Sequence, residues 1–560
     1  MTGWAHVQLT APGWAVCGGT RVRGQAHIDD RFHSASELAS RFAACVEDER
    51  WERLLKRCNG SFAIVSERGS AILAAVDRIR SIPLFYRSTS SLLRVGDSAE
   101  RVLADGSDVV SNASADVEFQ LTGYVTGAET LVRDLYQIQA GELLRWDAER
   151  PLVPVRHRYY TFEHGDYFTT SVDDLVARLE ILHDRVFRRL VDSVEGRQIV
   201  VPLSGGHDSR LIATALRDLG VHDVVCYTYG LPDNWEAKIS RELALHLGFR
   251  WEFVPYAPEK WRAWSATARF AQYFREAGNL ASVPHVQDWP AVLELMREGK
   301  VAADAIFAPG HSGDFLAGSH IPKQFASAVM VRRREFLDAL LRTHYSLWDW
   351  PRGSRATLQE EFTRRIEATI GRVGDVSSPR AADLFELWDL RERQAKFIGN
   401  SVRVYEHFGH EWRLPLFDHE LMDFWARIPL PLRVGRKLYY EFAGARQQAP
   451  VTPANTDRNA MMRGVLGGIT AAGLKPLAKR MRRMYRAWRW REEYTTSELG
   501  WLAMVDPGFF EHTYTGKEIA HSYVALAYRD WALSAADGAL PRRVIPALAM
   551  DCASDSAHVA

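Results

Sequence analysis

Cysteine is scarce and scattered in this 560-residue chain: Cys17, Cys45, Cys58, Cys226 and Cys552 form no C-x-x-C pair and show no His/Cys metal spacing. A disulfide framework and a zinc site are therefore not expected, and a reduced cytoplasm is the simplest compartment. The sequence has no uninterrupted apolar run of about eighteen residues, and its N-terminal segment lacks a basic stretch leading into an apolar one. Neither a membrane span nor a secretory signal is expected. Net charge is missing too, since 70 Lys and Arg balance 70 Asp and Glu. That balance gives no general attraction to nucleic acid, so no nucleic-acid partner is expected. Internal repeats and long low-complexity linkers are absent, and only the end, Asp551–Ala560, is expected to lack order. What the chain has is length, enough for two or more cores.

Its most informative stretch is Gln198–Leu216, QIVVPLSGGHDSRLIATAL. An apolar strand runs into Ser204-Gly205-Gly206-His207-Asp208-Ser209 and then into a helical pattern. Such a turn offers backbone N–H groups and a helix dipole to a phosphate. A kinase-type phosphate loop would need a lysine after the glycines, and none follows Gly206. The motif resembles the PP-loop of ATP pyrophosphatases, which implies ATP as cofactor and adenylation as chemistry. Downstream, Asp223–Gly230 reads as a buried strand, Trp235–Leu247 as a helix and Trp251–Tyr256 as a third strand. This order is that of a doubly wound parallel sheet, with ligands at the carboxyl ends of its strands. Leu203, Tyr229 and Gly230 are then placed to line an adenine pocket.

Residues 1–155 read differently, as short strands between turns, with Ala63–Val65, Ala71–Val76 and Leu84–Tyr86 the clearest. Asn59-Gly60-Ser61-Phe62-Ala63, Asp77-Arg78, Pro83-Leu84-Phe85-Tyr86 and Gly127-Ala128-Glu129-Thr130 resemble the amino-terminal domain of the asparagine synthetase family. Together with the PP-loop, the resemblance covers most of the chain in the family's domain order. It implies an αββα sandwich of the class II glutaminase (Ntn) type over 1–155 and a synthetase domain over 156–560. Glutamine-hydrolysing members expose an N-terminal cysteine; here Thr2 follows Met1, and neither an Arg-Leu-Ser nor an Asn-Gly-Glu-Ile-Tyr-Asn segment occurs. The first domain is thus expected to have lost its glutaminase activity. Nitrogen is expected from free ammonia, a separate glutaminase or an amine.

Ala308-Pro309-Gly310-His311-Ser312-Gly313-Asp314-Phe315-Leu316-Ala317-Gly318, after a short strand at Ala305–Ala308, resembles the family's second signature. Asp208 and Asp314 together form a carboxylate pair suited to Mg²⁺ on pyrophosphate oxygens. His311 replaces the family's glutamate and is a candidate base toward an incoming amine or a contact for an anionic acceptor. Arg413, Pro415, Leu416, Phe417 and Asp418 resemble a third family segment, which implies Lys437 as the cation at the α-phosphate. Arg403, Tyr405, Glu406 and Trp412 are further candidates for the acceptor pocket. Beyond about residue 445 the resemblance fades, and the basic, apolar-striped segment 475–491 is a candidate for peripheral membrane contact or an anionic substrate.

The function implied is an amide ligase that adenylates an acceptor carboxylate and passes it to ammonia or an amine, with a uronic acid of a polysaccharide pathway placed first. A secondary-metabolite amide synthetase or cyclase of the β-lactam or lasso-peptide type is the next reading. A non-catalytic nucleotide-binding scaffold and a tRNA-thiolating PP-loop enzyme are further alternatives. The latter would want a basic RNA-binding domain and catalytic cysteines, which are not visible.

Overall fold

The computed structural model describes residues 5–89, 92–104, 109–149, 154–232, 234–446, 490–495, 497, 499–514, 519–537 and 544–549. Thr2 and most of the basic segment 475–491 lie outside them.

The first domain is an αββα sandwich. One sheet carries strands in the order Val155–Arg158, Glu142–Asp147, Ala71–Val76, Asn59–Arg68, Thr20–Ile28 and Ala15–Cys17, all antiparallel, with Arg31–His33 also paired to Thr20–Ile28. The second has four strands in the order Ala5–Gln8, Leu93–Gly96, Phe85–Ser88 and Tyr136–Gln137. Because side chains alternate across a strand, Asn59–Arg68 feeds two cores. Phe62 and Ile64 join Leu38, Phe42, Trp51 and Leu55 beneath the helices Ala35–Ala43 and Asp48–Arg57. Ala63 and Val65 join Phe85, Leu93 and Val95 of the facing sheet, together with Val102 and Phe119 of the helices Ala99–Leu103 and Ala113–Thr122. The first sheet extends to Arg158, three residues past the expected boundary at 155.

The second domain holds a fully parallel five-stranded sheet in the order Arg250–Pro255, Val224–Gly230, Ile199–Pro202, Ile306–Phe307 and Glu411–Trp412. Ile199, Val200 and Val201 are all buried, as a strand covered on both faces requires. The strands expected at 223–230, 251–256 and 305–308 are present at Val224–Gly230, Arg250–Pro255 and Ile306–Phe307, and the intervening helix spans Trp235–His246. The helix Ala520–Asp537 bridges both domains. Arg529 pairs with Asp116 at 2.7 Å, and the neighbouring Tyr528 hydroxyl accepts the Leu280 N–H at 2.8 Å. No helix among the described residues is long and apolar enough to cross a membrane.

The domains meet at a buried guanidinium that gathers one buried carboxylate, Asp418, and two more exposed ones, Asp30 and Glu420. Arg189, on the helix Val172–Val194, reaches Asp30 of the first domain at 2.7 Å and, within its own domain, Asp418 at 2.8 Å and Glu420 at 2.7 Å. Asn59 completes the joint, donating to Asp418 Oδ2 and accepting the His419 N–H, each at 2.9 Å. Arg189 is 6% exposed. Removing Arg189 would leave the buried Asp418 carboxylate without its cation, at a cost of about 3–5 kcal/mol. Arg189→Leu is therefore expected to lower the urea midpoint and speed proteolysis between the domains; an unchanged midpoint would show that the joint does not rely on this pair.

Candidate active site

The strand Ile199–Pro202 ends in the Ser204–Ser209 turn, which opens the helix His207–Asp218. Gly206 occupies the N-cap with no side-chain bond to the first turn, so the helix's first N–H groups remain available to an anion. Ser204 and Ser209 brace the turn: Ser209 Oγ accepts the Ser204 N–H at 3.1 Å, and Ser204 Oγ accepts the Gly206 N–H at 3.1 Å.

The second signature comes alongside because Gly310 has no side chain. A Cβ there would lie 2.7 Å from the backbone N of Ser209. This approach puts Asp314 beside Asp208: the Asp314 N–H donates to Asp208 Oδ2 at 3.0 Å, while the Tyr439 hydroxyl donates to Oδ1. Ser319 Oγ donates to Asp314 Oδ2 at 2.9 Å. Burial and, next, the charge of Asp314 push the Asp208 carboxyl up to about 7. A divalent cation would relieve that repulsion, so the pair fits Mg²⁺ completed by phosphate and water oxygens. No group of three or more His, Cys, Asp or Glu suited to a metal occurs among the described residues.

These loops open into a cleft of about 460 Å³ lined by Ser204, Gly206, His207, Asp208, Ser209, Tyr229, Gly310, His311 and Asp314. Nine of the expected site residues thus converge. Leu203, Gly205 and Gly230 do not line it. Leu203 is buried, with its carbonyl accepting the Thr228 hydroxyl at 2.6 Å; Gly205 backs onto Trp235, and Gly230 packs against Asn234.

His311 faces the cleft, 2.7 Å from the Ser401 hydroxyl through Nε2. Burial and then the neighbouring His285 hold it down to about 4, so it is neutral at neutral pH. It has a lone pair to offer an N–H but no fixed charge for an anion.

Lys437 stands apart from the other candidates. It is exposed at the start of the helix Lys437–Arg446 and does not line the cleft; Arg436 does. The cause is a left-handed turn, with φ 70° at Gly435 and 60° at Arg436, which sends consecutive side chains in different directions. That turn hangs from Arg433, a fully buried guanidinium paired with Glu386 and bonded to the Ile428 carbonyl at 3.0 Å. Of the acceptor-pocket candidates, Tyr405 lines the cleft, whereas Arg403, Glu406 and Trp412 bond to one another and to the first domain through Arg23 and the Ser81 carbonyl. Arg413 is likewise buried against Ser193. His285, Gln287, Asp288, Ile398 and Ser401 also line the cleft. No pattern in the chain marks these five, because separate loops bring them together.

The profile of the family described as Asparagine synthase matches residues 179–439. These residues belong to the asparagine synthase family. The match includes every cleft-lining residue and stops at Tyr439, whose hydroxyl holds Asp208. No curated protein matches the chain. Two solved structures overlap it loosely. One, described as the allosteric regulatory enzyme of purine biosynthesis, is 10% identical, covering 43% of this chain and 62% of that chain with a TM-score of 0.18. The other, glutamine phosphoribosylpyrophosphate amidotransferase from B. subtilis complexed with ADP and GMP, is 11% identical, covering 53% and 64% with a TM-score of 0.19. This chain spans under two thirds of either, and overlaps so slight carry no argument.

Gly310→Ala is expected to force the two loops apart, since its neighbours at Ser209 and Asp208 include backbone that cannot turn aside. Calorimetric titration with Mg-ATP should show affinity reduced at least about tenfold in a protein that still melts cooperatively; wild-type affinity would mean that the approach is not needed for binding.

Proposed function

We propose that the protein activates an acceptor carboxylate as its acyl-adenylate, releasing pyrophosphate, and transfers the acyl group to ammonia or an amine with release of AMP. The observation that carries this reading is the single cleft shared by the Ser204–Ser209 turn, the Asp208–Asp314 pair and Arg436. The turn's N–H groups hold departing pyrophosphate, and Mg²⁺ on the two carboxylates would supply charge neutralisation at the phosphate oxygens. Arg436 neutralises charge growing at the α-phosphate as the carboxylate attacks. The carboxylate oxygen bonds to phosphorus as the pyrophosphate oxygen leaves; the amine then bonds to the acyl carbon as AMP leaves. Neutral His311, with Ser401 behind it, accepts a proton from that amine.

For the acceptor we place a uronic acid first, and ammonia or an amine rather than glutamine as nitrogen source. Asn59, from the segment that carries the family resemblance in the first domain, is engaged in the domain joint, and the glutamine-holding segments are missing from the sequence.

Pyrophosphate release with a panel of sugar acids, amino acids and hydroxy acids, each with ammonia or glutamine, tests the reading. Activity with ammonia and none with glutamine is expected; glutamate formation that disappears in Thr2→Ala would falsify the claim about nitrogen. Asp208→Ala and Asp314→Ala should each abolish pyrophosphate formation in a folded protein, and normal turnover in either would rule out the metal assignment.

Arg436→Ala should slow single-turnover AMP formation at least about a hundredfold while leaving ATP affinity within a few-fold, as expected when a transition-state stabiliser is lost. Lys437→Met should leave both nearly unchanged. The opposite ranking would return the role to Lys437.

A further inference from the structure

Part of the cleft wall suits a flat ring. Tyr229 stacks on Tyr256 with centroids 5.1 Å apart, and Tyr405 stacks on Phe307 at 4.3 Å. Pro202 and Ile398 add apolar surface. Tyr229 stands at the carboxyl end of the strand beside the phosphate-binding turn, where a doubly wound sheet receives the rest of a nucleotide whose phosphates occupy that turn.

Within this apolar wall stands one carboxylate. Asp288 is 5% exposed and sits at the N-cap of the helix Trp289–Arg297, yet its side chain does not cap that helix. It turns instead toward the tyrosines. Oδ2 lies 3.5 Å from the Tyr405 hydroxyl, and the Tyr229 hydroxyl also bonds to the carboxylate. Oδ1 is buried with no hydrogen-bond partner among the described residues. Leaving such an oxygen unsatisfied is costly, and a capping role that would explain it is not taken up. A ligand N–H would satisfy it.

Resting on the nucleotide reading above, we propose that Asp288 Oδ1 accepts the exocyclic 6-amino group of the purine and thereby selects ATP over 6-oxo nucleotides. A 6-oxo group would set an acceptor against the carboxylate, and a site built around a hydrogen bond rejects an analogue that cannot make it far more strongly than an apolar pocket does. Asp288 is a specificity residue for the base and takes no part in the chemistry at phosphorus. The amine nucleophile is the other N–H source that could reach the cleft.

Calorimetry of the full chain with the Mg²⁺ complexes of ATP, ITP and N6,N6-dimethyl-ATP separates the possibilities. Wild type should bind ATP at least about tenfold more tightly than either analogue. Asp288→Asn, whose amide can both donate and accept, should bring ATP and ITP within about threefold of each other. A melting curve verifies that the variant is folded. The dimethyl analogue needs no variant, and its binding to wild type as tightly as ATP overturns the assignment. An ATP-over-ITP preference that survives in Asp288→Asn also overturns it, and a raised KM for ammonia in that variant would give the carboxylate to the amine instead. Wild type that binds none of the three overturns the nucleotide reading itself, a result distinct from binding all three alike.

Discussion

Two carboxylates that repel each other are held side by side at the carboxyl ends of a parallel sheet, and much else in the second domain serves that placement. Asp208 belongs to the turn after one strand and Asp314 to the turn after its neighbour. They meet because Gly310 rides against the backbone of Ser209 and because a Cβ at Gly313 would strike Asp208 Oδ1 at 2.7 Å. Burial and like charge raise the proton affinity of Asp208, so a cation brings stability that the protein alone does not have. Tyr439 and Ser319 fix the orientation of the pair through hydroxyls that donate to it. A cleft assembled this way is poised to gain from a bound cation and its polyphosphate, and it gains little without them.

Around this pair the protein divides its charged side chains by task. Arg436 faces the cleft, whereas Arg433, three residues earlier, is sunk among Glu386, Asp383 and the Ile428 carbonyl and sets the turn that aims Arg436. Arg189, Asp418 and Asn59 join the domains, and Arg413 ties its loop to Ser193. Several residues of the recognisable family segments therefore act at a distance from the reacting atoms. Their contacts are buried polar ones, costly to break by removing a single partner.

The cleft lining also has two characters. The backbone N–H groups of the glycine turn, the paired aspartates and Arg436 suit polyphosphate; Tyr229, Tyr405, Pro202 and Ile398 suit a planar ring. His285 and His311 line the cleft, each held down to about 4 chiefly by burial, and are neutral hydrogen-bonding groups at physiological pH. Among the described residues Arg436 is the one arginine or lysine lining the cleft.

Read alone, the sequence determined the strands around the glycine turn and the parallel order of the second domain, while the pairing of Asp208 with Asp314 was implied by a family resemblance in two distant segments. It could do so because apolar runs, glycines and short motifs are local, and local geometry follows from them. The same resemblance singled out His311, and the structure sets it in the cleft. Tertiary structure alone decided which of Arg436 and Lys437 faces the site, because a left-handed turn separates adjacent side chains and nothing in the pattern of a basic dipeptide announces its direction. The gathering of His285, Gln287, Asp288 and Ser401 is tertiary for a related reason: they lie on loops and helix ends whose meeting depends on how distant elements pack. Asp288 shows this most clearly, since at a helix N-cap its residue type predicts a cap, and only the tyrosines arriving from Val224–Gly230 and Arg403–His407 turn its carboxylate toward the cleft.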